Sequence, residues 1–277
     1  MNRLIIFILI GCMMTSVYAQ NNDASLEDFD DFKTEQRVRY HSLMFGVGGL
    51  SQLDSYLSSL ENKGTAFTFY NENERVARKF EGKLNLQNVF QGDFAYCHSP
   101  SKETNTMYGN VSWRLAWLYN VYKTSALIIN VGPSSDLQGG FVYAMSNGNN
   151  PTQMRLSLDV CAAAQAVWRL PINKYDIRLK YQVQIPFSGV MFSPNYGQSY
   201  YEIFSLGNYD HNVCYTNPFQ AFNMRQMLSA EWALKSFSLR MAYYCQIHQS
   251  YVNNIKVHDY TNSFMIGYVK RFTLLKK

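Results

Sequence analysis

Residues 153–187 constrain this chain more than any other stretch. They read QMRLSLDVCAAAQAVWRLPINKYDIRLKYQVQIPF. In the first arm the even positions Met154, Leu156, Leu158, Val160 and Trp168 are apolar, while the odd positions Arg155, Ser157, Asp159, Gln165 and Arg169 are polar. After a turn near Pro171–Asn173 the parity switches. Tyr175, Ile177, Leu179, Tyr181, Val183, Ile185 and Phe187 are apolar or aromatic, and Asp176, Arg178, Lys180, Gln182 and Gln184 are not. Successive side chains of a strand point to opposite faces. The stretch is therefore a hairpin with one apolar face and one charged face. Its arms are long. Strands of soluble proteins run about 5–6 residues, whereas a tilted strand needs about 9–11 to cross the hydrocarbon of a membrane.

Composition agrees. Aromatic residues make up 16% of the chain, with 21 Tyr and 18 Phe, and charged residues only 16%. Membrane barrels carry aromatic girdles at both interfaces, which produces this balance. Beyond the first 20 residues no stretch is apolar enough for a membrane helix. A soluble lipocalin-like barrel needs shorter strands and an outer face rich in Lys and Glu. The pattern predicts an all-β fold, a closed antiparallel transmembrane β-barrel. No open edge is tolerated in lipid, so the sheet must close on itself.

The same alternation recurs along the chain. Strands are expected at His41–Gly49, Gly64–Tyr70, Lys83–Cys97, Met107–Val121, Ser125–Met145, the two arms of the hairpin, Met224–Leu234, Leu239–His248 and Asn262–Leu274. Leu50–Lys63 and Asn71–Gly82 read as links. Ser188–Met224 is broken by Gly197, Gly207, Asn208, Asp210 and Asn217-Pro218; it is either one long loop or two further strands near Tyr200–Leu206 and Val213–Phe219. The expected total is about 12 strands (10–14), an even number being required when both ends lie on one side. Tight turns at Lys123-Thr124, Pro171–Asn173 and Lys235-Ser236 are assigned to the periplasm, and the longer links Cys97–Thr106, Ser146–Pro151, Ser188–Met224 and Gln249–Thr261 to the cell exterior.

The N-terminus fits export. Met1–Ala19 reads as a signal peptide, with Arg3, an apolar centre Leu4–Ile10 and a small-residue site at Val17-Tyr18-Ala19. An alternative is lipoprotein processing before Cys12, at Leu9-Ile10-Gly11-Cys12. Residues 20–39 form an acidic periplasmic leader and 40–277 the barrel. The destination is the bacterial outer membrane, with its lipids and the barrel-assembly machinery as partners. A net charge of +5 without a basic cluster gives no case for nucleic acid.

Three stretches carry a resemblance: LDSYLSSLENKGT at 53–65, FSPNYGQSYYEIFSLGNYDHN at 192–212 and FMIGYVKRF at 264–272. In these the chain resembles an uncharacterised outer-membrane barrel family of Bacteroides-type bacteria, domain of unknown function 3316. The resemblance implies a barrel over nearly the whole mature chain and brings no established activity.

The polar face places Arg114, Arg155, Asp159, Arg169, Asp176, Arg178, Lys180, Glu231 and Arg240 toward the lumen. Mixed charges of this kind either tune the passage of a small solute or pair across the barrel and fill it. Filling is favoured, which makes this a small transport or structural barrel. A second reading is an outer-leaflet lipid hydrolase. His248, Ser250 and Asn262 are similar to the His/Ser/Asn arrangement of outer-membrane phospholipase A, which implies His248 as base, Ser250 as nucleophile and Asn262 as the orienting residue. Parity opposes it, because Asn262 shares a face with Phe264, and Tyr251-Val252 stands where that family has Asn-Gly. A third reading is a surface protein that binds partners through Ser188–Met224 and Gln249–Thr261. No cysteine pair or histidine spacing calls for a metal. No cofactor is expected; calcium enters only with the hydrolase reading.

Overall fold

In the computed structural model the described residues are 38–77, 80–148, 150–172, 175–234 and 237–273. The expected signal peptide, the Cys12 alternative and most of the acidic leader lie outside them. Eleven strands form one sheet: β1 Val38–Asp54, β2 Ser58–Val76, β3 Leu84–His98, β4 Asn105–Lys123, β5 Leu127–Ala144, β6 Thr152–Ile172, β7 Tyr175–Phe192, β8 Val213–Thr216, β9 Ala221–Ala233, β10 Ser238–Val252 and β11 Ile255–Thr273. Sequential strands pair antiparallel. The wall closes where β1 meets β11, from Val38↔Thr273 to Asp54↔Val257, and where β7 meets both β6 and β9. Ten strands make the ring. The four-residue β8 continues the line of β9 along the upper edge of β7. Closure satisfies the backbone polar groups that lipid cannot.

Alternation explains the two faces. Phe45, Val47, Phe67, Val111, Trp113, Leu137, Leu158, Phe264 and Ile266 point outward and are exposed. Tyr119, Trp117, Trp232 and Phe272 ring the end that carries both termini, and Tyr96 and Tyr143 stand near the opposite, loop end. These are the interfacial girdles expected of a membrane barrel.

The strands outrun their expected bounds. Leu50–Lys63 is not a loop: β1 and β2 stay paired up to Asp54↔Ser58 around a turn at Ser55–Leu57. Asn71–Gly82 is not mainly a link, since β2 continues to Val76 and only Phe80–Gly82 forms a helical turn. Gln249–Thr261 is not a long outer link either. β10 and β11 are joined by Asn253-Asn254 alone, both with positive φ, 51° and 61°. That geometry is a two-residue hairpin turn whose twist suits the flanking strands, and Asn accepts it. In Ser188–Met224, β7 runs on to Phe192, and the Tyr200–Leu206 segment forms a short helix, α1 (Tyr200–Phe204), instead of a strand. A capping box sets it: Glu202 N–H donates to Ser199 Oγ at 3.2 Å, and Ser199 N–H donates to the Glu202 carboxylate at 2.7 Å.

Glycine allows the wall to bend inward in places. Gly48 of β1 faces the lumen, and a Cβ there would lie 1.7 Å from the Asn262 carbonyl oxygen, so no other residue fits the backbone approach between β1 and β11.

Candidate functional site

The lumen is filled in three tiers. Near the terminal end, Glu72 of β2 is the hub. Lys180 Nζ of β7 donates to Glu72 Oε1 at 2.9 Å and also pairs with Glu74. Arg240 of β10 donates to the other Glu72 oxygen and to Ser42 Oγ at 3.1 Å, and its Nε lies 3.6 Å from Glu231. Glu231 in turn lies 3.5 Å from Arg178. In the ring of ten strands, β2 and β7 stand on opposite walls. The Glu72–Lys180 pair therefore crosses the barrel. Arg240, Glu72 and Lys180 are all buried, and removing one partner of a buried ion pair leaves an uncompensated buried charge.

The middle tier mixes charge and apolar bulk. Arg225 pairs with Asp136. Arg114 donates to Gln91 at 2.6 Å, Gln91 to Asp93 at 2.8 Å, and Thr68 Oγ1 to Asp93 at 2.8 Å. Beside this chain Met44, Tyr70, Val89, Met227, Tyr244 and Met265 pack into one buried cluster. Buried polar and apolar side chains thus fill the lumen side by side at this level.

The loop-end tier opens into a small vestibule, a cavity of about 50 Å³. Arg155 of β6 reaches across to Asp54 of β1 at 3.0 Å and pairs with Asp259 of β11. His248 Nδ1 is 3.4 Å from Asp259. Asp159 accepts from Ser157 Oγ at 3.0 Å and from Gln138 at 3.4 Å. Asn223 and Gln246 complete the polar wall, Gln246 donating to Asn223 at 2.9 Å. The segment carrying α1 is tied to the vestibule rim. Tyr200 donates to Gln153 Oε1 at 3.0 Å and accepts from Met154 N–H at 2.7 Å. Burial pushes the Tyr200 phenol well above its ordinary range, so it stays a neutral hydrogen-bonding group.

Of the lumen residues expected from parity, Arg114, Arg155, Asp159, Arg178, Lys180, Glu231 and Arg240 face inward and take part in these tiers. Arg169 is an exception. It pairs in register with Arg178 and so shares its face, but it lies exposed near the terminal end of β6. The side chain of Asp176 lies outside the described residues. The hydrolase trio does not converge. His248 and Ser250 face the vestibule, whereas Asn262 sits on the outer surface, where Tyr243 OH donates to it at 2.8 Å. The residue beside His248 is Asp259, one strand over in the register. Glu72, Glu74, Asp54 and Asp259 fall in stretches that read as links in the sequence, and Asp136 lies within the expected strand Ser125–Met145. Continuing the parity of Thr68 and Tyr70 to Glu72 and Glu74 finds two of them.

A closed antiparallel ring with an apolar exterior and a charged interior defines an outer-membrane-type β-barrel. The solved structures it resembles include the outer-membrane protease OmpT from Escherichia coli, at 6% identity and TM-score 0.50, covering 86% of this chain and 98% of that one. Others are the transport unit of the autotransporter AIDA-I from Escherichia coli (10% identity, TM-score 0.46, 98% and 97% covered) and the COG4313 outer-membrane channel from Pseudomonas putida F1 (11%, 0.38, 93% and 100%). At 6% identity the first of these establishes the fold and nothing about chemistry. A comparison with curated proteins finds no match. The chain belongs to the family described as "Protein of unknown function (DUF3316)", whose model matches residues 4–277.

Proposed function

We propose that this protein is an integral outer-membrane barrel whose lumen is sealed, and that its working surface is the vestibule at the loop end, facing the cell exterior. The observation that carries the reading is the Glu72–Lys180 pair, which spans opposite walls with both side chains buried. Any solute crossing the barrel would have to separate buried charges, which costs several kcal/mol per ion. The apolar cluster around Met44 and Tyr244 supports the same conclusion from the tier above. Lipids of the outer membrane and the assembly machinery are the partners such a barrel requires. The deciding experiment is planar-bilayer recording of refolded protein beside surface labelling of residues 193–212 on intact cells. Silent bilayers and labelled loops are expected. A steady single-channel current that changes with Arg178→Gln or Lys180→Met would overturn the sealed lumen. Protection of the loops in intact cells and exposure only after lysis would reverse the orientation.

One observation favours a second reading. His248 has a carboxylate at its Nδ1 and a hydroxyl two residues along the same face, at Ser250. An ester hydrolase of the vestibule would use Asp259 rather than Asn262 to orient His248. Loss of hydrolysis in Ser250→Ala, with folding kept, is its test.

A further inference from the structure

Among the described residues the ladder of the wall is interrupted between β7 and β9, and the vestibule behind it holds a carboxylate that no Lys or Arg bonds. The β7–β9 ladder runs from Ile177↔Trp232 to Gln184↔Arg225. It resumes as β7–β8 at Gly189↔Thr216. Between those pairs, residues 185–188 of β7 face residues 217–224, four against eight. The surplus is the turn Asn217–Gln220, which swings outward and leaves Phe219 99% exposed. The other edge of β7 slips at the same level. Val160 pairs with Ser188 but Cys161 with Pro186, so Phe187 is bulged, and Pro186 has no N–H to donate. β7 is thus loosened on both edges over the same few residues.

Behind this break lies the vestibule, which Pro186, Thr216, Ala221 and Asn223 line from the broken side. Asp159, one strand away on β6, lines the same vestibule. A Cβ on Gly189 would fall 2.1 Å from Asp159 Oδ1, so the carboxylate occupies the space that the glycine leaves. Asp159 is 9% exposed and accepts hydrogen bonds from Ser157 and Gln138. Among the described residues no Lys or Arg bonds it. The other vestibule acids, Asp54 and Asp259, share Arg155. Of the charged or titratable groups that line the vestibule, Arg155 and His248 both lie on Asp259, Arg155 pairing with it and His248 Nδ1 at 3.4 Å, which leaves Asp159 without a Lys or Arg partner among the described residues. In front of the break the surface is apolar: Ile185, Phe187, Tyr215 and Phe219 are exposed on the lipid side.

We infer that the break between β7 and β9 is a lateral mouth of the vestibule, and that it admits an amphiphile with an ammonium head. The head pairs with Asp159 inside, and the tail lies outside against Phe187 and Phe219. This rests on the orientation proposed above, which puts the break at the level of the outer leaflet. An opposite charge in a low-dielectric site supplies the attraction, and an anionic head is repelled by the same carboxylates. No covalent step is involved.

The test uses the whole refolded barrel in maltoside micelles. Dodecylammonium is titrated against it, with ethylammonium as head alone and dodecyl sulfate as tail with the wrong charge. A dodecylammonium analogue carrying a tail diazirine locates the tail by mass spectrometry. Saturable binding of dodecylammonium is expected, at least tenfold tighter than either control and weakened at least tenfold by Asp159→Asn. Tail labels are expected within 185–188 and 215–222. Equal binding of ethylammonium, with labels confined to 193–212, would mean entry from water and would sink the lateral mouth. Absent binding to wild-type barrel that keeps its heat-modifiable migration, or binding unchanged in Asp159→Asn, would sink the inference whole. The wild-type labelling stands even if Asp159→Asn fails to fold. A conducting wild-type channel would instead remove the sealed-lumen reading and leave the mouth to be judged by its own labels.

Discussion

Lys180 on β7 and Glu72 on β2 meet across the barrel, Nζ to Oε1 at 2.9 Å, from strands on opposite sides of the ring. Long side chains from facing walls thus do the work that a core does in a soluble protein. Each has further partners, Glu74 for the lysine and Arg240 for the glutamate.

Removing one member leaves the others charged and buried. Lys180→Met is expected to lower unfolding stability in urea by about 3–5 kcal/mol. Glu72→Gln should cost a similar amount, since it removes the carboxylate that Lys180 and Arg240 share and leaves them only Glu74 and Glu231. The double variant should cost less than the sum, because residues sharing one network couple by about 0.5–3 kcal/mol. Strict additivity would show that the pair does not hold the walls together.

Gly189 and Asp159 form a second dependency. Alanine at 189 would place its Cβ 2.1 Å from the Asp159 carboxylate and 2.9 Å from the Leu158 carbonyl oxygen. Gly189→Ala is expected to destabilise by about 1–3 kcal/mol through overpacking. In an Asp159→Ala background the same substitution should cost less, since the nearer obstacle is gone. Equal costs in both backgrounds would place the strain in the backbone alone.

Both dependencies bear on what a reader of the sequence can see. The inward position of Lys180 follows from the parity of residues 175–187, and so does the outward position of Phe187. Its partner does not follow. Glu72 lies 108 residues away, in a stretch whose charges suggest a turn, and nothing local says that β2 continues there. Ring closure decides which strands face each other, and closure depends on the strand number, which broken segments such as Ser188–Met224 leave open. The Ser199/Glu202 capping box was present in the sequence and marks α1. The Asp159–Gly189 contact was not visible, because it requires the register slip at Pro186. Asn262 illustrates the opposite case: parity alone put it outside, whatever its spacing from His248.

The Asn253-Asn254 turn supports a prediction about folding. Both residues hold the left-handed conformation, which costs most residues roughly 1–2 kcal/mol. Asn254→Gly should leave stability unchanged or raise it slightly, whereas Asn254→Val should lower it by about that penalty. Urea titrations of the two variants decide it. An Asn254→Val barrel as stable as wild type would mean that the turn rearranges freely.

Glu202 gives the loop end a pH dependence. Its carboxylate accepts from the Ser199 N–H and hydroxyl, and these hydrogen bonds hold it below the usual carboxylate range. A depressed folded-state value means that the contribution to stability is present above the unfolded value, about 4.3, and is lost as the pH falls through the folded one. Amide protection over 199–205 should therefore persist from neutral pH down to the carboxylate range and fall below it. Glutamine also serves at this position of a capping box, so Glu202→Gln should keep α1 and lose the pH dependence. Hydrogen exchange of both proteins at neutral pH and at pH about 3 makes the comparison. If protection in Glu202→Gln falls in the same way as in wild type, another group titrates the segment and the cap is not its switch.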